Sequence, residues 1–337
     1  MQFALYFITK ITILQITIFL LNLITGLGLI LEIQHMCEIV KGNKMQSMQF
    51  IKKARNTLLF VSLCMIGGTT YAVQKLGLAE GLPLWSAGMR FLLAGSIMAG
   101  YSFYKKTWKP DSATISAGAQ YGILYFAIPF GIIYWVGQYL PSGLLSVLSA
   151  SVSIFSIIFN YTFFKVKTTK TQMYGIFLSL GGIIIIFLQS ILLSYESNMM
   201  LYLLACTVAY IGAAYSTASL KHKVTNINQL CFNIIALLTG GGILCVFSLI
   251  VEHGNRVFVG VSLIALIYLA IAGSMLSTRI TTFLMSQWDI AKVTSYRYIS
   301  PVISLLVGFV FWREMLSFHE IVGALFIISG TIVINRN

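Results

Sequence analysis

Residues 151–186 read SVSIFSIIFNYTFFKVKTTKTQMYGIFLSLGGIIII, and residues 299–334 read ISPVISLLVGFVFWREMLSFHEIVGALFIISGTIVI. Laid over one another without a gap, at an offset of 148 residues, they match Ser156 with Ser304, Phe163 with Phe311, Gly175 with Gly323, Gly182 with Gly330 and Ile184 with Ile332. The layout matters more than the identities. Each copy is a long apolar run, a basic residue (Lys165 or Arg313), a polar turn and a glycine-punctuated apolar run. The overlay reaches back to residues 140 and 288, and further upstream an offset of 144 pairs Gly68 with Gly212, Tyr71 with Tyr215 and Leu76 with Leu220. A duplicated block made of apolar runs points to a membrane transporter built from two halves.

Composition agrees. The chain is 58% hydrophobic and 9% charged, whereas a soluble domain carries about 25% charged residues and needs them to cover its surface. An all-α, multi-pass membrane protein is the reading. Lys and Arg number 22 against 9 acids, a net charge of +13. In a soluble protein that excess would suggest nucleic acid, but here the basic residues sit in short loops between apolar runs, the positive-inside pattern. No nucleic-acid partner is expected. Cys37, Cys64, Cys206, Cys231 and Cys245 are odd in number and lie at no metal-ligand spacing. They read as small apolar residues rather than a disulfide framework or zinc site, and no metal or cofactor is expected.

A bilayer core of about 30 Å needs about 20 apolar residues in a helix. From residue 57 onward ten such runs follow one another: roughly 57–76, 84–104, 115–138, 142–164, 172–192, 199–219, 229–250, 258–284, 292–311 and 318–334. Alternate connections divide Lys and Arg thirteen against three, with Arg336 on the richer side. The C-terminus is therefore expected in the cytoplasm. Ten runs make five per half, at 45–194 and 195–337. Because five is odd, the halves must enter the membrane from opposite sides, so the duplication is an inverted repeat. Residues 1–44 stand outside it. They read either as an extra helix over 11–31, or as a mis-assigned start, with translation beginning at Met45 or Met48 and leaving a compact basic leader before the first span. A cleaved signal fits poorly, since Lys10 is the only basic residue before a long apolar run.

The stretch MIGGTTYAVQKLGLAEGLPLWSAGMRFLLA, residues 65–94, resembles the opening of EamA-type transporters of the drug/metabolite transporter superfamily. The likeness rests on Gly67 and Gly68, on Gly81-Leu82-Pro83, and on Arg90-Phe91-Leu92-Leu93. The end of the chain is similar to that family too, in Tyr298-Ile299-Ser300-Pro301-Val302, Trp312-Arg313-Glu314, Gly323 and Gly330. The resemblance covers about residues 57–335. It implies ten transmembrane helices in two inverted five-helix repeats, in a bacterial inner (plasma) membrane. It also implies export or exchange of small metabolites, such as amino acids or drug-like solutes, by alternating access. A small-molecule solute and the lipid bilayer are the expected partners, and a homodimer is compatible with the pattern. The first half departs from the family: Ser153 stands where Pro301 stands in the second, and Val166 where Glu314 does. Without a proline the fourth span can keep its backbone hydrogen bonds, so the two halves are expected to flex unequally.

Charge inside a membrane is costly, so it is where function is sought first. Arg90, Arg279 and Arg297 are the three candidates. Arg90 reads as a snorkelling or helix-pinning residue, a structural or gating role shared with Pro301 and Glu314. Arg297, with Tyr296, reads either as snorkelling or as facing the cavity to meet a solute carboxylate. Thr69, Tyr71, Tyr125, Tyr134, Ser149 and Tyr215 complete the candidate solute-binding set. Ser146, Ser149 and Ser153 share a helical face, which helix packing would explain as well as a solute path. The glycine clusters at 67–68, 181–182 and 240–242 read as close packing or hinges, since none has the context of a phosphate-binding loop. Two other readings stay open: an intramembrane lipid-modifying enzyme, and a non-transporting receptor or assembly subunit. The enzyme would need paired acids, metal ligands or an activated nucleophile, and His35, His222, His253 and His319 lie at no ligand spacing.

Overall fold

The computed structural model describes residues 44–78, 82–140, 142–193, 199–312 and 318–335. The N-terminal extension up to residue 43, and Arg313 and Glu314, lie outside the described residues. Two compact units meet between Ser62 and Leu63. Of the first, the described part is helical, its Thr57 and Ser62 hydroxyls returning to the carbonyls of Lys53 and Leu58. The helix contacts and the cavity described below involve residues of the second unit, from Leu63 onward.

Helix α1 runs Lys44–Leu78 and α2 Pro83–Tyr104. Next comes a rod of three parts: α3 Ser112–Tyr121, a π-helical segment Gly122–Ala127, and α4 Ile128–Val136. Two shorter helices, α5 Ser142–Ser149 and α6 Ser151–Thr162, precede α7 Lys170–Leu193. Then follow α8 Met199–Lys223 and α9 Gln229–Val251. A second three-part rod comprises α10 Val261–Tyr268, a π-helical segment Leu269–Leu276 and α11 Ser277–Gln287. Short α12 Ile290–Thr294, then α13 Tyr296–Trp312 and α14 Phe318–Asn335, complete the described chain. Helix covers each apolar run read from the sequence. Among the described residues, five helices, Ile51–Leu78, Ser112–Val136, Met200–Lys223, Gln229–Val251 and Val261–Gln287, are long and apolar enough to cross a membrane. The protein is all-α.

Glycine sets how closely these helices approach. α7 packs along α14 and α2 along α9. A Cβ added at Gly182 would lie 2.5 Å from the Gly323 carbonyl oxygen, and one at Gly175 would lie 2.7 Å from that of Gly330. On α9, Gly240 faces Phe126 and Gly122 of the first π-helical segment, while Gly241 faces Gly88 and Leu92 of α2. This is the small-residue packing that lets backbones meet in a membrane, where burial of apolar surface cannot draw helices together.

Two further features are invisible in a hydropathy pattern. Both π-helical segments close five-residue hydrogen bonds, from the Ile128 amide to the Ile123 carbonyl and from the Ser277 amide to the Ala272 carbonyl. Shifted by 148 residues, 122–127 falls on 270–275, inside the second segment. Pro129 accounts for the first, since a proline ring collides with the carbonyl four residues back and a wider turn relieves it. The second has no proline.

The other feature is a pair of helix breaks, at Ala150 between α5 and α6 and at Ser295 between α12 and α13. Without a proline, the Ser153 amide does keep a backbone hydrogen bond, to the Ala150 carbonyl at 3.0 Å, but it closes a turn rather than a regular helical bond, so the helix is interrupted there. Ser149 and Ser151 hydroxyls take the carbonyls of Ser146 and Leu148, each at 2.6 Å, and Ser295 takes that of Lys292 at 2.8 Å. Side-chain hydroxyls here compete with the helical ladder. Pro301 itself sits inside the continuous α13.

Helix α2 has no side-chain cap of its own at Leu82. Glu252, beyond the end of α9, supplies one instead: the Leu84 and Trp85 amides donate to its two carboxylate oxygens at 2.8 and 3.0 Å. Ser248 donates to the same carboxylate at 2.6 Å, and the Trp85 indole donates to the Arg256 carbonyl at 3.0 Å. Glu252→Ala is expected to cost about 1–2 kcal/mol of stability, read as a fall in the thermal midpoint of the purified protein. An unchanged midpoint would mean that water serves the two amides equally well. Elsewhere Asp111 caps α3 by accepting from Thr114, whose hydroxyl holds the Asp111 carboxyl below the usual carboxylate range.

Candidate solute cavity

A cavity of about 70 Å³ lies among α1, α2, both three-part rods, the end of α5 and the start of α13. It is lined where the helices are irregular. Ser149 comes from the break after α5, Tyr296 and Arg297 from just past the break before α13, and Tyr125 and Gly273 from the two π-helical segments. Carbonyls and side chains freed from a regular ladder are available to a ligand, which is why such irregularities recur at functional sites.

The two arginines that line the cavity are held differently. Arg90 is 1% exposed. Its Nε donates to the Ser274 hydroxyl at 2.6 Å, Nη1 to the Tyr134 hydroxyl at 3.1 Å and Nη2 to the Gly273 carbonyl at 2.8 Å. The guanidinium also lies 5.3 and 5.4 Å from the ring centroids of Phe91 and Phe130, within cation–π range. Arg90 thus ties α2 to the second π-helical segment, and a Cβ at Gly273 would lie 2.9 Å from Nη2, so a larger residue there would shift the guanidinium. It does not snorkel: its charge ends inside the protein. Arg297 is partly open to the cavity. Its Nη2 donates to the Tyr125 hydroxyl at 2.6 Å, its guanidinium sits 5.1 Å from the Tyr296 ring, and its Nε is buried with no hydrogen-bond partner among the described residues. Pro301 removes the helical donor that would reach the Arg297 carbonyl. Arg279 is on the exposed surface.

Of the residues singled out from the sequence, Tyr71, Tyr125, Ser149, Tyr296, Arg297 and Arg90 line this cavity. Thr69 does not. Its hydroxyl turns to the Tyr268 hydroxyl at 2.5 Å, while the adjacent Thr70 faces the space. Tyr134 is buried beneath Arg90, and Tyr215 packs edge-on against Phe159 and Phe163. Glu314 lies outside the described residues. Sequence reasoning passed over Ser277, Thr278 and Thr281 on α11, which line the opposite wall. Their signal was present in the run Ser277-Thr278-Arg279-Ile280-Thr281-Thr282, where hydroxyls recur three and four residues apart in an apolar span. Tyr121 stacks on Tyr125 at 4.5 Å and 17°, and with Phe126 and Phe130 gives the cavity an aromatic wall. Gly67 and Gly68 let α1 approach α13: added Cβ atoms would lie 2.5 Å from the Ser300 hydroxyl and 2.4 Å from Ile303.

The EamA-like transporter family model matches the chain twice, over residues 55–188 and 199–336. YedA of Escherichia coli K12, described as an uncharacterized inner membrane transporter, is 28% identical over 258 residues, covering 76% of this chain and 82% of YedA. An uncharacterized transporter from the trpA 3′ region of Buchnera aphidicola subsp. Schlechtendalia chinensis is 28% identical over 289 residues, covering 84% of this chain and 93% of its own. A probable amino-acid metabolite efflux pump of Salmonella typhimurium is 22% identical over 303 residues, covering 82% and 93% respectively. A crystal structure superposes with a TM-score of 0.70 at 12% identity, over 83% of this chain and 96% of the other, and so shares the fold. The chain is an integral, multi-pass membrane protein that belongs to the EamA-like transporter family and has that family's general role in secondary transport rather than catalysis.

Proposed function

We propose that the protein exports or exchanges small metabolites, amino-acid metabolites or drug-like solutes among them, by alternating access. In this reading ten transmembrane helices form two inverted five-helix repeats, 45–194 and 195–337, with the C-terminus in the cytoplasm. The observation that carries it is the cavity, because both halves contribute polar groups to one space: Thr70, Tyr71 and Tyr125 from the first, Ser277, Tyr296 and Arg297 from the second. Three independent features support the repeat. The family model matches once in each half. The π-helical segments recur at the offset of the sequence overlay. The glycine contacts exchange partners, Gly175 meeting Gly330 and Gly182 meeting Gly323, as a two-fold axis requires when Gly175 corresponds to Gly323 and Gly182 to Gly330. Tyr71, Tyr125, Ser149, Tyr296 and Arg297 are then solute contacts. Arg90 and Pro301 are structural or gating residues, and Thr69, Tyr134 and Tyr215 are not solute contacts.

Counterflow in proteoliposomes tests this reading. Vesicles preloaded with a solute the protein carries are expected to accelerate uptake of that labelled solute over protein-free vesicles. No acceleration across a broad panel of metabolites would sink the carrier and return weight to a receptor or assembly subunit.

A further inference from the structure

The geometry points to a solute that carries a carboxylate and is bound as a net anion, with the carboxylate on Arg297. This inference deepens the transport reading and rests on it for what happens after binding. The cavity holds two guanidiniums, and no Asp or Glu lines it among the described residues. Arg90 has each of its three nitrogens engaged by protein, its single Nε–H included, so it cannot offer a free Nε–H and Nη–H pair. Arg297 has one such bond, to Tyr125, and a buried Nε that lacks an acceptor. An unsatisfied buried donor is costly to leave unmade. A carboxylate spans Nε and a terminal nitrogen with two parallel bonds, the pairing for which a guanidinium is shaped.

Charge selects further. Two cations in a low-dielectric space without a counter-acid favour an anion and disfavour a third cation. A solute ammonium would find hydroxyls on Ser277, Thr278 and Thr281 but no carboxylate. The organic acid is therefore preferred over the corresponding amino acid, and the amino acid over the amine. Behind Arg297 the Tyr121–Tyr125 stack and the Phe126 and Phe130 rings favour an apolar or aromatic body on that acid.

The test needs only the unaltered protein at first. Isothermal titration calorimetry in detergent compares acetate, hexanoate, benzoate and 3-phenylpropionate with their primary amides, and 3-phenylpropionate with phenylalanine and 2-phenylethylamine. At least one acid is expected to bind about ten- to a hundredfold tighter than its amide, the range of a charge-assisted bidentate contact, with phenylalanine between 3-phenylpropionate and the amine. Arg297→Gln is expected to erase the acid-over-amide ratio, and Arg297→Lys to retain only part of it. No acid bound more tightly than its amide, an amine bound best, or a ratio unchanged in Arg297→Gln would each overturn the assignment. The two readings fail separately. Binding with the expected ratio but no counterflow leaves the anion site and removes the carrier, whereas counterflow of any solute without the ratio does the reverse.

Discussion

Arg90→Ala is expected to destabilise the protein by roughly 3 kcal/mol, taking about 1 kcal/mol for each of three interhelical hydrogen bonds in a membrane. The substitution leaves the Gly273 carbonyl with only the Ser277 hydroxyl, which donates to it at 2.7 Å, and it frees Tyr134 and Ser274 from α2. Arg90→Lys is expected to recover little. A single ammonium on a flexible stem cannot reach three acceptors fixed in a fork, although it preserves the charge. The measurement is thermal unfolding of each variant in detergent, beside counterflow. A midpoint for Arg90→Ala matching the parent protein would mean that the guanidinium is a passenger, and that the cavity charge has some other reason to be there.

The second large effect is expected where α7 meets α14. A Cβ at Gly182 would lie 2.5 Å from the Gly323 oxygen and 2.9 Å from the Ile327 amide nitrogen, and one at Gly330 would lie 2.6 Å from the Gly175 oxygen. These are backbone atoms, which no rotamer change can move aside, so the helices have to part. Gly182→Ala is expected to cost about 1–3 kcal/mol, as overpacking does, and Gly182→Leu to prevent accumulation of folded protein. Gly181 next to it is the control, since nothing stands within 4 Å of its added Cβ. There alanine is expected to be neutral, or to gain the fraction of a kcal/mol, up to about 1, that separates the two residues in a helix. Equal midpoints for Gly181→Ala and Gly182→Ala would remove the close-packing account.

The apolar runs placed the helices within a few residues, because length and hydrophobicity alone set where a chain crosses a bilayer. Where each helix would break was not legible. Ser149 reads from the sequence as a packing or lining residue, and only the coordinates show its hydroxyl and that of Ser151 taking carbonyls from the ladder. A π-helical turn leaves composition unchanged, so neither segment had a signal beyond Pro129. Arg90 and Arg297 look alike in sequence, each an arginine near the end of an apolar run. What separates them is acceptors 172 to 184 residues away, at Tyr125 for one and Ser274 for the other. Thr69 and Thr70 are adjacent, and which of them faced the cavity depended on a helix phase that two neighbouring threonines cannot reveal.

The Glu252 cap also has a bearing on time. The first turn of α2 is finished by a residue 168 positions further along the chain. At about 5–20 residues per second of synthesis, that carboxylate leaves the ribosome roughly 10–30 s after Leu84. Until then the Leu84 and Trp85 amides have only water or lipid headgroups for company. The start of α2 is thus complete only after most of the chain has been made, and a chain truncated before residue 252 would carry this helix with its leading edge unfinished.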